Sequence, residues 1–442
     1  MTQWRELAVI AILSLFTGAQ AWAQYDEQIP PPPLEAEASM ETAPSMPHMT
    51  SYGFLIPPGW NIGMAADALG VYDSNPAFLL QPSGDVAQRY SGDISLTYLS
   101  KHTIYQANYL PSFTYYGQFT DLNNGEQKLS QSLWHDASMR TGFGWRFDAG
   151  KYPSWGGSAF SNSSFGSLLM ELSGLTGLDL MSNVSTATTG FSVDHKLNQR
   201  SHLHADVSGG VNKYVHCDSN QLVSLLTAPD SSTWSGVMSL TYSYQLNSHR
   251  TLGTSVSSSY NLFTAQSYHV MTQSAVIRYE EKLRDGWVYS VAAGPEFREE
   301  QQSSGSVQPG LNLNVDLVHK TRRTSFRASV VSSYQMGQAQ NNLTSWVALL
   351  SLEHAIGKHC FAGVFGNYQR SESLVAAGSI GTGSTQTVAP AVDGGVRLGR
   401  HVVWFANYGF SAQKGALTRQ KTIYRQQLVS GLSFNVDSLF PR

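Results

Sequence analysis

The stretch Leu311-Asn-Leu-Asn-Val-Asp-Leu317 alternates apolar and polar residues without a break. In an extended chain successive side chains point to opposite faces, so Leu311, Leu313, Val315 and Leu317 share one surface and Asn312, Asn314 and Asp316 the other. The pattern is that of a β-strand with one apolar and one wet face. It recurs along the chain. Met238, Leu240, Tyr242 and Tyr244 alternate with Ser239, Thr241, Ser243 and Gln245; Phe326, Ala328, Val330 and Tyr334 with Arg327, Ser329, Val331 and Ser333. Ile94, Leu96 and Tyr98, and again Leu203, Ala205 and Val207, follow the same rule.

Short polar or basic turns punctuate these stretches, centred near Lys101, His135, Gln199, Ser248, Arg284, Thr321, Gly357 and Arg400. Between them lie longer connections at about 74–88, 117–128, 151–183, 215–232, 262–266, 299–306, 335–342, 371–383 and 414–421. Eight short turns and nine loops give eighteen antiparallel strands, with Asn61–Tyr72 as the first. Alternation is weak around Ser130–Arg146, and loss of that hairpin would leave sixteen. Strands of roughly 10–15 residues exceed the ~9–11 that cross a hydrocarbon layer at a tilt. Short turns alternating with long loops are the signature of a transmembrane β-barrel, with the tight turns in the periplasm and both termini on that side.

Composition agrees with such a chain. Only 13% of its 442 residues are charged, 28 basic against 31 acidic for a net charge of −3, while 41% are hydrophobic. No basic run offers a footprint for nucleic acid, and 21 Tyr, 19 Phe and 10 Trp argue against global disorder. The two cysteines, Cys217 and Cys360, cannot make a disulfide framework, and pairing them would span the membrane.

The N-terminus reads as a secretory signal peptide over residues 1–23: Arg5, the apolar run Leu7–Phe16, and the small-x-small tripeptide Ala21-Trp22-Ala23. Residues 24–58, with Pro30-Pro31-Pro32-Pro33, read as a Pro-rich disordered periplasmic linker. The barrel occupies 59–442.

An all-β chain of this periodicity could also be a soluble sandwich, its apolar faces turned into a dry core. Aromatic residues on the apolar face sit near strand ends, with Trp287, Phe326 and Trp404 just after short turns and Trp234, Tyr334 and Trp346 beside loops, which matches paired interfacial girdles. The polar face carries Arg278, Glu280, Glu296, Asp316, Arg327 and Glu353, which a wet lumen tolerates and a dry core does not. The last stretch, Ser430-Gly-Leu-Ser-Phe-Asn-Val436, has the pattern of an edge strand with one apolar face.

On these motifs the chain resembles Gram-negative outer-membrane β-barrel proteins of the porin-like kind. The resemblance implies a transmembrane antiparallel up-and-down barrel of about 16–18 strands, located in the cell outer membrane and embedded in its lipid. It also implies that Gly431, Leu432, Phe434 and Val436 form the assembly signal read by the barrel-assembly machinery. The family usually ends on Phe or Tyr where this chain has Val436, and here Asp437–Arg442 extend further. A narrower likeness, to barrels associated with exopolysaccharide export, rests on Tyr72-Asp-Ser-Asn-Pro76 and on basic turns such as His319-Lys-Thr-Arg-Arg323.

Candidates for chemistry are few. His202, His204 and Asp206 share a strand face and could present two imidazoles and a carboxylate to a metal, or be polar lumen residues near a turn. Gly378–Ser384 lacks the lysine and the strand-to-helix setting of a phosphate loop. No catalytic motif and no cofactor is read. In the long loop 151–183, the third, Glu171 and Asp179 are expected to line a constriction and to face Arg278 or Arg327 across the lumen, with Asp316 and Glu353 as further pore-lining groups; a loop packed on the surface is the other reading. The expected function is a channel for small hydrophilic solutes or for polysaccharide export. A structural or adhesive barrel with a plugged lumen and a barrel-borne hydrolase are the alternatives.

Overall fold

The computed structural model describes residues 48–49, 55–56, 59–75, 83–120, 123–153, 182–216, 231–264, 268–300, 307–321, 323–336, 342–357, 359–373, 384–399, 401–414 and 422–436. The signal peptide, most of the Pro-rich segment, Cys217, Gly378–Gly383, and both Glu171 and Asp179 lie outside them.

The barrel strands are β1 (Trp60–Asp73), β2 (Asp85–Leu99), β3 (Thr103–Tyr116), β4 (Asn124–Asp136), β5 (Thr141–Pro153) and β6 (Ser182–Lys196). They continue as β7 (Ser201–His216), β8 (Ser231–Asn247), β9 (Arg250–Phe263), β10 (Tyr268–Lys282), β11 (Trp287–Glu300) and β12 (Val307–Lys320). The last six are β13 (Thr324–Met336), β14 (Asn342–Ile356), β15 (Cys360–Ser373), β16 (Ser384–Arg397), β17 (Val402–Lys414) and β18 (Thr422–Val436). Two short strands, His48–Met49 and Leu55–Ile56, pair with each other in a separate sheet.

Each barrel strand pairs antiparallel with the next, and β18 returns to β1 from Gln427 opposite Asp73 to Val436 opposite Met64, which closes the barrel at eighteen strands. In hydrocarbon an unpaired backbone group costs several kcal/mol, so closure is what lets a sheet span a membrane. The same closure corrects one expectation: in the folded protein β18 is not an exposed edge, because β17 takes one side and β1 the other.

The hairpin around Ser130–Arg146 is present as β4 and β5, paired from Gln127–Lys151 to Asp136–Gly142. Its turn is Ala137–Arg140, and His135 belongs to the strand, where its Nδ1 meets Thr103 Oγ1 at 3.0 Å. The fifth turn is a helical turn, Arg284–Gly286, that places Asp285 at φ 60° and Gly286 at φ 79°.

The alternation read in the sequence becomes outside and inside. On β2, Val86 and Tyr90 are 60% and 48% exposed, whereas Ala87 and Arg89 between them are 1% and 3% exposed. Around the wall the exposed large side chains include Met238, Leu240, Tyr242, Leu311, Val330, Leu350, Val392 and Leu432, all on the outward register. Trp234, Trp346 and Trp404 also point outward near strand ends. Trp287 stacks on His319 at 4.4 Å and meets Phe326 at 5.6 Å at the short-turn rim. A closed barrel of even strand number wrapped in an apolar belt is an outer-membrane barrel, and the outer membrane is its location.

Candidate functional site: the lumen wall

The inward register carries the polar chemistry. Where the first and last strands meet at the long-loop end, Asp73 of β1 receives Arg425 Nε of β18 at 3.0 Å on Oδ1 and 2.9 Å on Oδ2, together with Arg425 Nη2. Gln427 Nε2 donates to Asp73 Oδ2 at 2.8 Å, and the Asn75 backbone N–H donates to Oδ1 at 3.0 Å. Ser74 extends the seam past the strand end: its N–H donates to Gln426 O at 2.9 Å, and its Oγ accepts the Gln426 N–H at 2.7 Å. The Asp73-Ser-Asn75 motif, read from sequence only as a family likeness, therefore ties the two ends of the barrel together.

A second cluster spans the next three strands, β2 to β4. Arg89 Nη2 of β2 reaches Glu126 Oε2 of β4 at 3.1 Å and Ser112 Oγ of β3 at 3.1 Å, and Ser112 Oγ lies 3.3 Å from the same carboxylate oxygen. All three are buried. Tyr116 lies within electrostatic reach of both clusters, Arg425 and Asp73 on one hand and Arg89 and Glu126 on the other. Asp85 binds the chain beyond β3, accepting the N–H groups of Gln118 at 2.9 Å and Phe119 at 2.8 Å.

The two halves of the lumen differ. Towards the long loops inward polar groups are shielded: Asp73 and Glu296 are both 0% exposed, and Arg298, Ser345, Asn367 and Gln413 are buried. Towards the short turns the inward groups Asp67, Asp194, His202, Arg278 and Glu280 are partly or fully exposed. Several charged wall groups near the short turns are therefore more solvated than those near the long loops.

Charge divides it a second way. On β5 to β13 four described acids have a basic neighbour: Arg146 Nη2 lies 3.5 Å from Asp206 Oδ1, His204 Nδ1 2.9 Å from Asp194 Oδ1, Arg278 Nη2 3.2 Å from Glu280 Oε2, and Arg327 Nε 3.0 Å from Asp316 Oδ1. On the seam side, Asp67 of β1 and Asp93 of β2 are diagonal neighbours, and Glu353 and Asp393 lie on β14 and β16; no described base pairs with any of them.

Of the residues expected to line the pore, Arg278, Asp316, Arg327 and Glu353 stand on the inward register. Arg278 and Arg327 are engaged by neighbours on the wall itself, so they are not free cations aimed across the lumen. His202, His204 and Asp206 share the inward face, but Asp194 takes His204 and Arg146 approaches Asp206. Among the described residues no group of three or more His, Cys, Asp or Glu is arranged to hold a metal. Gly431 is inward, Leu432 and Phe434 outward, and the backbone of Val436 pairs with Met64. Cys360 is an exposed free thiol at the start of β15. The seam pair, the Arg89 cluster and Asp393 were missed in the sequence. Asp393 alone gave a local signal, an acid in a small-residue run, Ala389-Pro-Ala-Val-Asp-Gly-Gly395.

No family model matches the chain, and no curated protein does. Among solved structures it is similar to OccK2 (OpdF) of Pseudomonas aeruginosa, at 9% identity and TM-score 0.46 over 85% of this chain and 98% of that one. It is also similar to opdK of the same organism, at 12% identity and TM-score 0.43 over 85% and 99%. A third is the FrpB iron transporter of Neisseria meningitidis, at 9% identity and TM-score 0.46 over 85% and 81%. Likeness at this level is one of general barrel shape.

Proposed function

We propose that the protein is an outer-membrane channel for small hydrophilic solutes, wide at the periplasmic mouth and narrowed towards the cell exterior. The observation that carries this reading is the solvated, charge-bearing inner wall of the short-turn half, in a barrel whose strand number leaves an aqueous interior. The reading assigns the protein no catalysis; selectivity comes from wall charge and from the narrow half. A leader peptide at residues 1–23 delivers the chain across the inner membrane, and the assembly machinery reads β18 before β1 closes on it.

A second reading, a plugged barrel, has its own support: the shielding of Asp73, Glu296 and Arg298 in the long-loop half. Single-channel recording in planar bilayers separates the two. Discrete conductance steps with purified protein support the channel; a silent, correctly folded barrel supports the plug. Polysaccharide export is the finer alternative within the channel reading. It calls for conductance that neutral oligosaccharides block from the periplasmic side, whereas a small-solute pore narrower than a sugar chain stays unaffected.

A further inference from the structure

Glu353 of β14 and Asp393 of β16 flank Gly363 of β15, each paired with it in register. All three face the lumen, so two carboxylates stand in one transverse row with a glycine between them. Strands one apart are separated by about 4.8 Å, which puts the two acidic residues on the order of 10 Å apart at the backbone and within side-chain reach of a shared point. Asp393 leans into that gap: a Cβ added at Gly363 would lie 2.1 Å from Asp393 Oδ1. The carboxylate thus fills the space the missing side chain leaves, on the side where Glu353 stands.

Neither oxygen of Asp393 has a hydrogen-bond partner on another residue, although the residue is 8% exposed. A buried carboxylate without a donor or a counter-charge is costly, because nothing replaces the water it has lost. The neighbours do not supply what is missing. Glu353, the charge within electrostatic reach, has the same sign. Arg327, diagonal to Glu353 on β13, is held by Asp316. Asn407, in register with Asp393 on β17, brings a buried amide, and an amide oxygen is a ligand for a hard cation.

We propose that Glu353 and Asp393, with Gly363 between them, form a binding site for a hard divalent cation of the calcium class in the wall of the lumen. Calcium accepts carboxylate, amide and water oxygens in a flexible shell, which suits two carboxylates on a sheet with solvent completing the coordination; magnesium demands a stricter octahedron. The site rests on the wet lumen of the channel reading but not on the passage of solute, so binding and conduction can fail separately.

The test is calorimetric titration of calcium chloride into the folded, detergent-solubilised protein stripped with chelator, with folding verified by circular dichroism. Saturable binding near one ion per chain is expected, weakened at least tenfold in Asp393→Asn and in Glu353→Gln. Gly363→Ala, which displaces the Asp393 carboxylate without removing a charge, is expected to weaken it as well. Absence of saturable binding in the wild-type protein, or unchanged affinity in both charge variants, overturns the site. Should Asp393→Asn not fold, Glu353→Gln decides alone: tenfold weaker binding supports the site and unchanged binding overturns it.

Discussion

Arg425 and Asp73, 352 residues apart in sequence, form the ion pair that staples the last barrel strand to the first. It sits where the strand ladder between β18 and β1 ends, at Gln427 opposite Asp73, so it holds the long-loop end of the seam. Removing one member of such a buried pair leaves the other charge unpaired, which typically costs about 3–5 kcal/mol. Arg425→Ala and Asp73→Asn are expected to lower the denaturant midpoint of the barrel in detergent by that order. A joint replacement by apolar residues should restore part of the loss, since neither charge then remains. Loss of less than about 0.5 kcal/mol in both single variants would remove the staple from the account of closure.

The same seam is tight at Gly431, where a Cβ would meet Ala68 O at 2.3 Å and the Leu69 Cα at 3.0 Å. Gly431→Ala must therefore push β18 away from β1. The expected effect is overpacking of about 1–3 kcal/mol, with slower closure during refolding into vesicles. An alanine variant as stable as wild type would show that the strands can part at no cost there.

The Arg89, Ser112 and Glu126 cluster joins three successive strands. A hydrogen bond to a charged group contributes about 1.5–3 kcal/mol, and buried groups in one network couple. Arg89→Ala and Glu126→Ala are each expected to destabilise the barrel, and the double variant by less than the sum. A double-mutant cycle measured by denaturant unfolding gives the coupling; additive effects would mean that the two side chains do not sense each other.

Much of this fold was legible because a strand that meets lipid on one side and water on the other must alternate, and the alternation survives in the sequence. Leu311–Leu317 is outward and inward by turns, as read. The hairpin of β4 and β5 read weakly because Gln127 and Gln131 stand outward on β4 while Trp134 stands inward, so hydropathy loses its contrast there; the strand is held by its neighbours β3 and β5 instead. The lumen chemistry was legible as residue types but not as pairs. Residue types alone do not tell that Asp73 meets Arg425, that Asp316 occupies Arg327, or that Gly363 makes room for Asp393, because each follows from register between strands: the hairpin turn sets it for Asp316 and Arg327, and closure of the whole barrel sets it for Asp73 and Arg425.

The membrane face itself can be tested by a single charge placed on either side of one strand. Leu350 lies near the middle of β14 and is 48% exposed outward; Ser351, the next residue, faces the lumen. An arginine on the lipid face near the midplane costs about 2–4 kcal/mol, and on the lumen face little. Leu350→Arg is expected to cut folding efficiency into vesicles sharply, and Ser351→Arg is not. Equal tolerance at both positions would contradict the assignment of faces.

Wall charge makes the last prediction, which concerns permeation. The paired acids of the wet half on β5 to β13 have bases beside them, while Asp67, Asp93 and Glu353 on the seam side, each partly exposed on the inward register, do not. Unneutralised carboxylates facing a wet lumen concentrate cations and repel anions over about a Debye length, roughly 10 Å at 0.1 M salt. The open channel is therefore expected to prefer cations in a potassium chloride gradient, and the preference is expected to shrink as salt rises. Asp67→Asn with Asp93→Asn should shift the reversal potential towards zero without changing the number of open channels. These two acids lie on β1 and β2, away from the Glu353–Asp393 row on β14 and β16, so this variant leaves calcium binding intact and separates selectivity from the site in the wall. An anion-preferring wild-type pore, or a reversal potential indifferent to both substitutions, would show that the narrow half sets the selectivity and that the seam-side acids do not.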